Sequence, residues 1–278
     1  MAEHPLYVAF VWHMHQPFYR DLRTGEIDMP WVRLHAAKDY LHMAEIVARH
    51  PDVHVTINMV PSLTDQLVAF VEGRESDLLF QLAEQESWKT EEKRYILELG
   101  YSISWGRVIR SHPRYAALLD RREEGLANPD AFTTADIRDL LAWFNLVWID
   151  SGWLRRDEAL VALLANPPEG RPGGRHFTQD DIRLIHARQR EAAAAILPLY
   201  RQLAERGQIE LAVSPYYHPI LPLLIDIGNA RRPSPGLPLP GLPYLAAEDA
   251  AAQLRMAIET HTRHFGRREK SPSREVRL

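Results

Sequence analysis

Two imidazoles two residues apart, His13 and His15 in the run Trp12-His13-Met14-His15-Gln16-Pro17, form the leading candidate for chemistry in this sequence. Alternation at a strand end turns residues i and i+2 the same way, so both rings are expected to face one cavity. There, imidazole can exchange hydrogen bonds with a ligand or hold a metal. The second candidate is a carboxylate, Glu210, set between Ile209 and Leu211. If the apolar pair faces helices, Glu210 faces the strand interior, where an unpaired charge costs free energy and calls for a partner or a ligand. An ion pair with an arginine such as Arg33 is the structural alternative.

His218 follows in Ser214-Pro215-Tyr216-Tyr217-His218-Pro219, a rigid loop whose aromatic rings either stack on a sugar face or fill the core. Asn58 is placed to hydrogen-bond a ligand or to satisfy backbone where its strand turns. Trp143, Trp148, Asp150 and Trp153 gather at a helix end, where such a cluster is more often core than binding platform.

The elements that carry these residues alternate. Residues 6–12 form an apolar, β-rich run that reads as a buried strand, with His13 where its C-terminal end opens into a site. Helix follows over 31–49. Residues 53–60 read as a second strand, stopped by Pro61, with Ser62 placed to cap the next helix and Asp65 to complete a capping box. Residues 75–150 read as wholly helical, a long insertion after the second strand. A Pro/Gly turn covers 166–174, Thr178 and Asp181 open a helix that Gly207 ends, and 209–214 form the third strand. Residues 228–243 are too rich in Pro and Gly for a helix or central strand and read as a surface loop. Residues 248–265 are helical, with Gly266 as the stop.

Strands alternating with helices predict a parallel α/β sheet, because each parallel pairing needs a crossover, and ligands of such sheets gather at the C-terminal strand ends. After the last helix the pattern calls for a fourth apolar strand, whereas 267–278 is a charged tail expected to lie outside the fold. A truncated product is the expectation, with a naturally three-stranded sheet as the alternative.

Composition narrows the function. The 278 residues carry 33 Lys and Arg against 37 Asp and Glu, a net charge of -4 that offers no field for a phosphate backbone, so nucleic acid is not an expected partner. No apolar run approaches the roughly 20 residues of a membrane span, so no membrane partner is expected. There is neither a secretory leader nor a cysteine, which favours the cytoplasm.

The motifs Trp12-His13-Met14-His15-Gln16-Pro17, Ile57-Asn58-Met59-Val60-Pro61-Ser62-Leu63, Phe144-Asn145-Leu146-Val147-Trp148 and Gly207-Gln208-Ile209-Glu210 together resemble glycoside hydrolase family 57. They occur in order and span nearly the whole chain to Gly266. The resemblance implies that residues 1–266 are the N-terminal part of a (β/α)7 barrel, with the helical insertion at 75–150. It also implies retaining action on α-glucans of the amylase, 4-α-glucanotransferase, branching or pullulanase-like kind. The implied partner is an α-glucan or maltooligosaccharide, with no cofactor and no metal. His13, His15 and Glu210 would line the subsite of the sugar to be cleaved, and His13, His15, Gln16, Asn58, Glu210 and His218 form the expected substrate-binding set.

Retention needs two carboxyl groups about 5 to 5.5 Å apart. The family's nucleophile is a Glu that commonly follows a Trp-Pro-Ser type sequence. Pro272-Ser273-Arg274-Glu275 echoes that segment without the Trp and with Arg274 intruding, so Glu275 is not assigned. No position matches the acid/base Asp, no catalytic residue is assigned, and the chain is expected to hydrolyse no glucan. Two other readings stand beside this one: a zinc-dependent hydrolase using His13, His15 and His218, and a non-catalytic carbohydrate-binding protein.

Overall fold

A computed structural model describes residues 6–165, 176–241 and 244–266. The expected turn at 166–174 and the charged tail at 267–278 lie outside the described residues. The chain divides into two compact units, one of Met1–Phe18, Ile46–Gln66 and Leu197–Leu278, the other of Tyr19–Glu45 and Leu67–Ile196.

The first unit is built on a sheet of three parallel strands in the order β1-β2-β3: β1 Val11–Met14, β2 Val55–Met59 and β3 Ile209–Ala212. The register sets His13 beside Asn58, and Asn58 beside Ala212. Because neighbouring residues in a parallel register share a face, the pleat gives the sheet two unlike sides. Met14, Val55, Ile57, Met59 and Ile209 form a buried side. Each such side chain removed from water contributes about 1.5–3 kcal/mol. Val11, His13, Thr56, Asn58, Glu210 and Ala212 form the other side, which is exposed or half-buried.

The first strand differs from expectation. It begins at Val11 and includes His13, while residues 6–10 are exposed coil, Leu6 and Tyr7 at 88%. An apolar run specifies a strand only where a neighbour offers its edge, and β2 pairs with Val11 to Met14 alone.

Helix covers 31–49 as expected, divided into α1 Trp31–His35 and α2 Leu41–Arg49 by a π-helical stretch at Ala36–Tyr40. The helix after β2, α3 Pro61–Val71, starts on a proline, which fits a first turn because its missing N–H would have no helical acceptor. Ser62 therefore caps nothing: it lies inside the helix, and its N–H donates to Tyr216 O at 3.1 Å. Asp65 correspondingly completes no capping box.

The second unit is mainly helical among its described residues, with one isolated antiparallel bridge between Arg20 and Ile27. It contains α4 Leu78–Ala83, α5 Thr90–Leu99, α6 Pro113–Asp120, α7 Arg122–Ala127, α8 Thr134–Val147, α9 Ser151–Arg156 and α10 Glu158–Ala165, with 3-10 turns at Ile109–Ser111 and Pro129–Ala131. Its core gathers Ile96, Leu97, Tyr115, Leu140, Trp143 and Phe144. Trp143 and Trp148 are buried, and Asp150 caps α9 by accepting from Gly152 and Trp153 N–H, so the tryptophan cluster is core. Arg33, 2% exposed, donates to Asp77, Asn145 and Gln189. The proposed alternative pairing of Arg33 with Glu210 is thereby replaced.

Thr178 and Asp181 exchange the capping hydrogen bonds expected of them, and α11 Gln179–Glu205 follows. Gly207, at φ +73°, ends it in the left-handed conformation glycine tolerates. The next residue fixes β3: Gln208 Nε2 donates to Val47 O and His50 O, capping the C-terminal end of α2. After β3 come α12 Leu221–Ile225, a 3-10 turn at Ile227–Arg231 and α13 Ala247–Phe265. The expected 228–243 loop thus starts with a helical turn, capped at its N-terminal end by Asp226 accepting from Gly228 N–H.

Candidate functional site

Three imidazoles from two segments meet at the C-terminal end of the sheet. His13 is the third residue of β1, His15 lies just past its end, and His218 comes from the loop that follows β3. Ring centroids stand 5.7 Å apart for His13 and His15, 4.6 Å for His13 and His218, and 4.9 Å for His15 and His218. His13 and His218 are exposed and His15 half-buried, so the cluster opens to solvent.

Each ring has identifiable support. His13 Nδ1 lies 2.7 Å from Asn58 Oδ1, and Ser214 Oγ donates to the same oxygen at 2.9 Å. An amide oxygen is an acceptor only, so His13 donates from Nδ1, which in the neutral ring leaves Nε2 as the acceptor. His15 is held below the usual imidazole pKa, first by burial and then by His218 and His13, because a charge on it would be both desolvated and repelled.

His218 is the one described non-glycine residue with positive φ, at +58°. Its turn is clamped on several sides. His218 N–H donates to Pro215 O, while Tyr216 and Tyr217 N–H donate to the backbone and side-chain oxygens of Gln253 on α13. Buried Tyr216 donates its hydroxyl to Asp65 Oδ2 at 2.7 Å; Thr260 Oγ1 donates to the same carboxylate oxygen at 3.4 Å, and His264 Nε2 lies 3.5 Å from Asp65 Oδ1. Burial and the Asp65 carboxylate push the Tyr216 hydroxyl pKa up. Tyr217, the residue before His218, meets Phe18 edge to face at 5.3 Å.

The structure therefore brings together His13, His15, Asn58 and His218, with Gln16 half-buried directly after His15. Glu210 shares the sheet face of His13 but lies outside the histidine cluster. It pairs with Thr56, two residues before the level of Asn58, and lines an open cavity of about 830 Å³ with Thr56, Arg201 and His261. The expectation that Glu210 is enclosed is corrected: it is exposed, because no further strand covers that face among the described residues. Sequence reasoning passed over Ser214 and misread Asp65. Ser214 carried a signal, standing two residues beyond β3 in the run that ends at His218.

A family model for glycosyl hydrolase family 57 matches residues 9–272. The chain belongs to that family. Among solved structures it is similar to a GH57-type branching enzyme from the hyperthermophilic archaeon Pyrococcus horikoshii, with 19% identity and a TM-score of 0.39 over 94% of this chain and 32% of that one. A GH57 branching enzyme from the hyperthermophilic archaeon Thermococcus kodakaraensis, in complex with glucose and additives, is similar at 17% identity and a TM-score of 0.37, over 94% and 31%. The family 57 chain thus spans about a third of the length of these relatives. No curated protein sequence matches it. Among the described residues, no helix is long and apolar enough to cross a membrane.

Proposed function

We propose that this family 57 chain contributes the sugar-holding side of an α-glucan site, with His13, His15, Asn58 and His218 binding the hydroxyls of one glucosyl unit. Gln16 and Glu210 belong to the same set, Glu210 reached along the exposed face of the sheet. The observation that carries the reading is the convergence of three solvent-open imidazoles, one of them locked by Asn58, at the strand ends where parallel sheets bind ligands. Such rings offer both donors and acceptors to vicinal hydroxyls, and Tyr217 and Phe18 supply apolar surface for a sugar face.

In this reading β1 to β3 are the opening strands of a barrel, and the reaction served is retaining transfer at an α-glucosidic bond. Retention requires a nucleophile and an acid/base about 5 to 5.5 Å apart. The histidine cluster includes no carboxylate, so its role is positioning the sugar rather than cleaving the bond.

Maltotetraose added to the 278-residue chain should raise its melting temperature. A ligand at a hundredfold excess over Kd stabilises by about 2.7 kcal/mol. The shift should vanish in His15→Ala, and no reducing sugar should be released. Absence of any saturable shift from a cooperatively melting chain refutes sugar binding, and release of reducing ends by protein free of contaminating amylase refutes the division of labour.

A further inference from the structure

The separations of the three imidazoles lie near those a four-coordinate metal ion imposes. A zinc ion with bonds of about 2.1 Å to ring nitrogens and tetrahedral angles holds those nitrogens about 3.4 Å apart and the ring centres about 5.2 Å apart. Here the ring centres stand 4.6, 4.9 and 5.7 Å apart, on both sides of that value. One nitrogen from each ring lies within 4.8 Å of the other two, so closing on an ion takes side-chain rotations of rings of which two are exposed.

The surroundings also suit a ligand set. The oxygen of Asn58 behind His13 Nδ1 fixes the tautomer and leaves Nε2 directed to coordination, and Ser214 holds that oxygen from the other side. An acceptor behind a ligating imidazole orients the ring and raises its basicity. Three nitrogen donors without a carboxylate favour zinc, copper or nickel over magnesium or calcium, and three protein ligands leave a fourth position open.

We propose that His13, His15 and His218 form a binding site for a divalent transition-metal ion of the zinc class, ligated by three imidazole nitrogens with one open position. The ion would occupy the place assigned above to a sugar, so ion and sugar exclude one another there. Ligation involves no bond-breaking step, and the metal site stands whether or not the sugar reading does.

The test is calorimetric titration of the chelator-stripped 278-residue chain with zinc chloride. One ion per chain should bind, at least tenfold more weakly in His15→Ala and in His218→Gly, with His50→Ala unchanged. His218→Gly guards against misfolding, because glycine adopts left-handed backbone freely, and melting curves report whether each variant folds. Cobalt(II) reads the geometry separately: a tetrahedral site gives an intense visible band that both cluster variants should abolish. No zinc uptake by a cooperatively melting chain, or uptake that the His15 and His218 variants leave unchanged, overturns the proposal. The maltotetraose shift is measured on zinc-free chain and reports on the sugar reading alone, so the two readings fail separately.

Discussion

His218 allows a substitution in which stability and binding should move in opposite directions. Its φ of +58° puts an L residue in the left-handed region, which costs about 1–2 kcal/mol. The cost is imposed by the hydrogen bonds to Pro215 O and Gln253 and by the Asp65 contact of Tyr216, none of which uses the His218 side chain. His218→Ala keeps the Cβ and therefore the strain. His218→Gly removes it but loses about 0.5–1 kcal/mol through the greater freedom of glycine in the unfolded chain. The Gly variant should thus exceed the Ala variant by about 0.5–1 kcal/mol, roughly 1–4 °C in melting temperature for a chain of this size. Both variants lose the imidazole and should lose maltotetraose affinity equally. Calorimetric melts in chelator, paired with maltotetraose titrations, measure both quantities. An Ala variant as stable as the Gly variant would show that the fold does not enforce the left-handed turn, and undiminished binding by both would remove His218 from the site.

Asp65→Ala should lower the unfolding free energy by about 1.5–3 kcal/mol, the value of a hydrogen bond to a charged group. It should also weaken maltotetraose binding from a distance, while Asp65→Asn retains most of both; unchanged affinity in a folded Ala variant would deny Asp65 its role in holding the His218 loop. Arg33→Met leaves the Asp77 carboxylate, 4% exposed, buried without its main partner and should cost about 3–5 kcal/mol in urea unfolding. Adding Asp77→Asn should recover part of that loss, and a single-variant loss under about 1 kcal/mol would contradict the buried pair.

Acid should destabilise the fold through His186. Burial lowers its pKa below 6.5 against the pull of Glu84, and its Nε2 has no partner among the described residues to receive a second proton. The folded state therefore binds fewer protons than the unfolded one as pH falls. The stabilisation is complete above 6.5 and is lost as pH drops from there towards the folded pKa. Denaturant midpoints measured between pH 7 and 5 should fall less steeply in His186→Gln, and an identical slope would refute the assignment.

Much of the geometry of the candidate site was legible because it rests on local rules. Two residues of separation at a strand end put His13 and His15 at one opening, Thr178 and Asp181 announced α11, and Gly207 marked where left-handed backbone ends it. The ordered motifs carried the family assignment. Hydrophobicity misled where it stood without its partners: residues 6–10 are as apolar as a buried strand yet lie exposed, and Glu210, expected under cover, stands in the open.

What only the tertiary structure decided is the set of meetings between segments distant in sequence. Asn58 locks His13 from 45 residues away, and the Asp65 carboxylate takes the Tyr216 hydroxyl from 151 residues away, fixing the turn that delivers His218. Arg33 finds Asn145 and Gln189 across 112 and 156 residues. Sequence alone determined which residues have the right chemistry and the local geometry to present it, because caps, turns and alternation act over a few residues. Pairing across the chain depends on which surfaces pack together, and no short-range pattern encodes that.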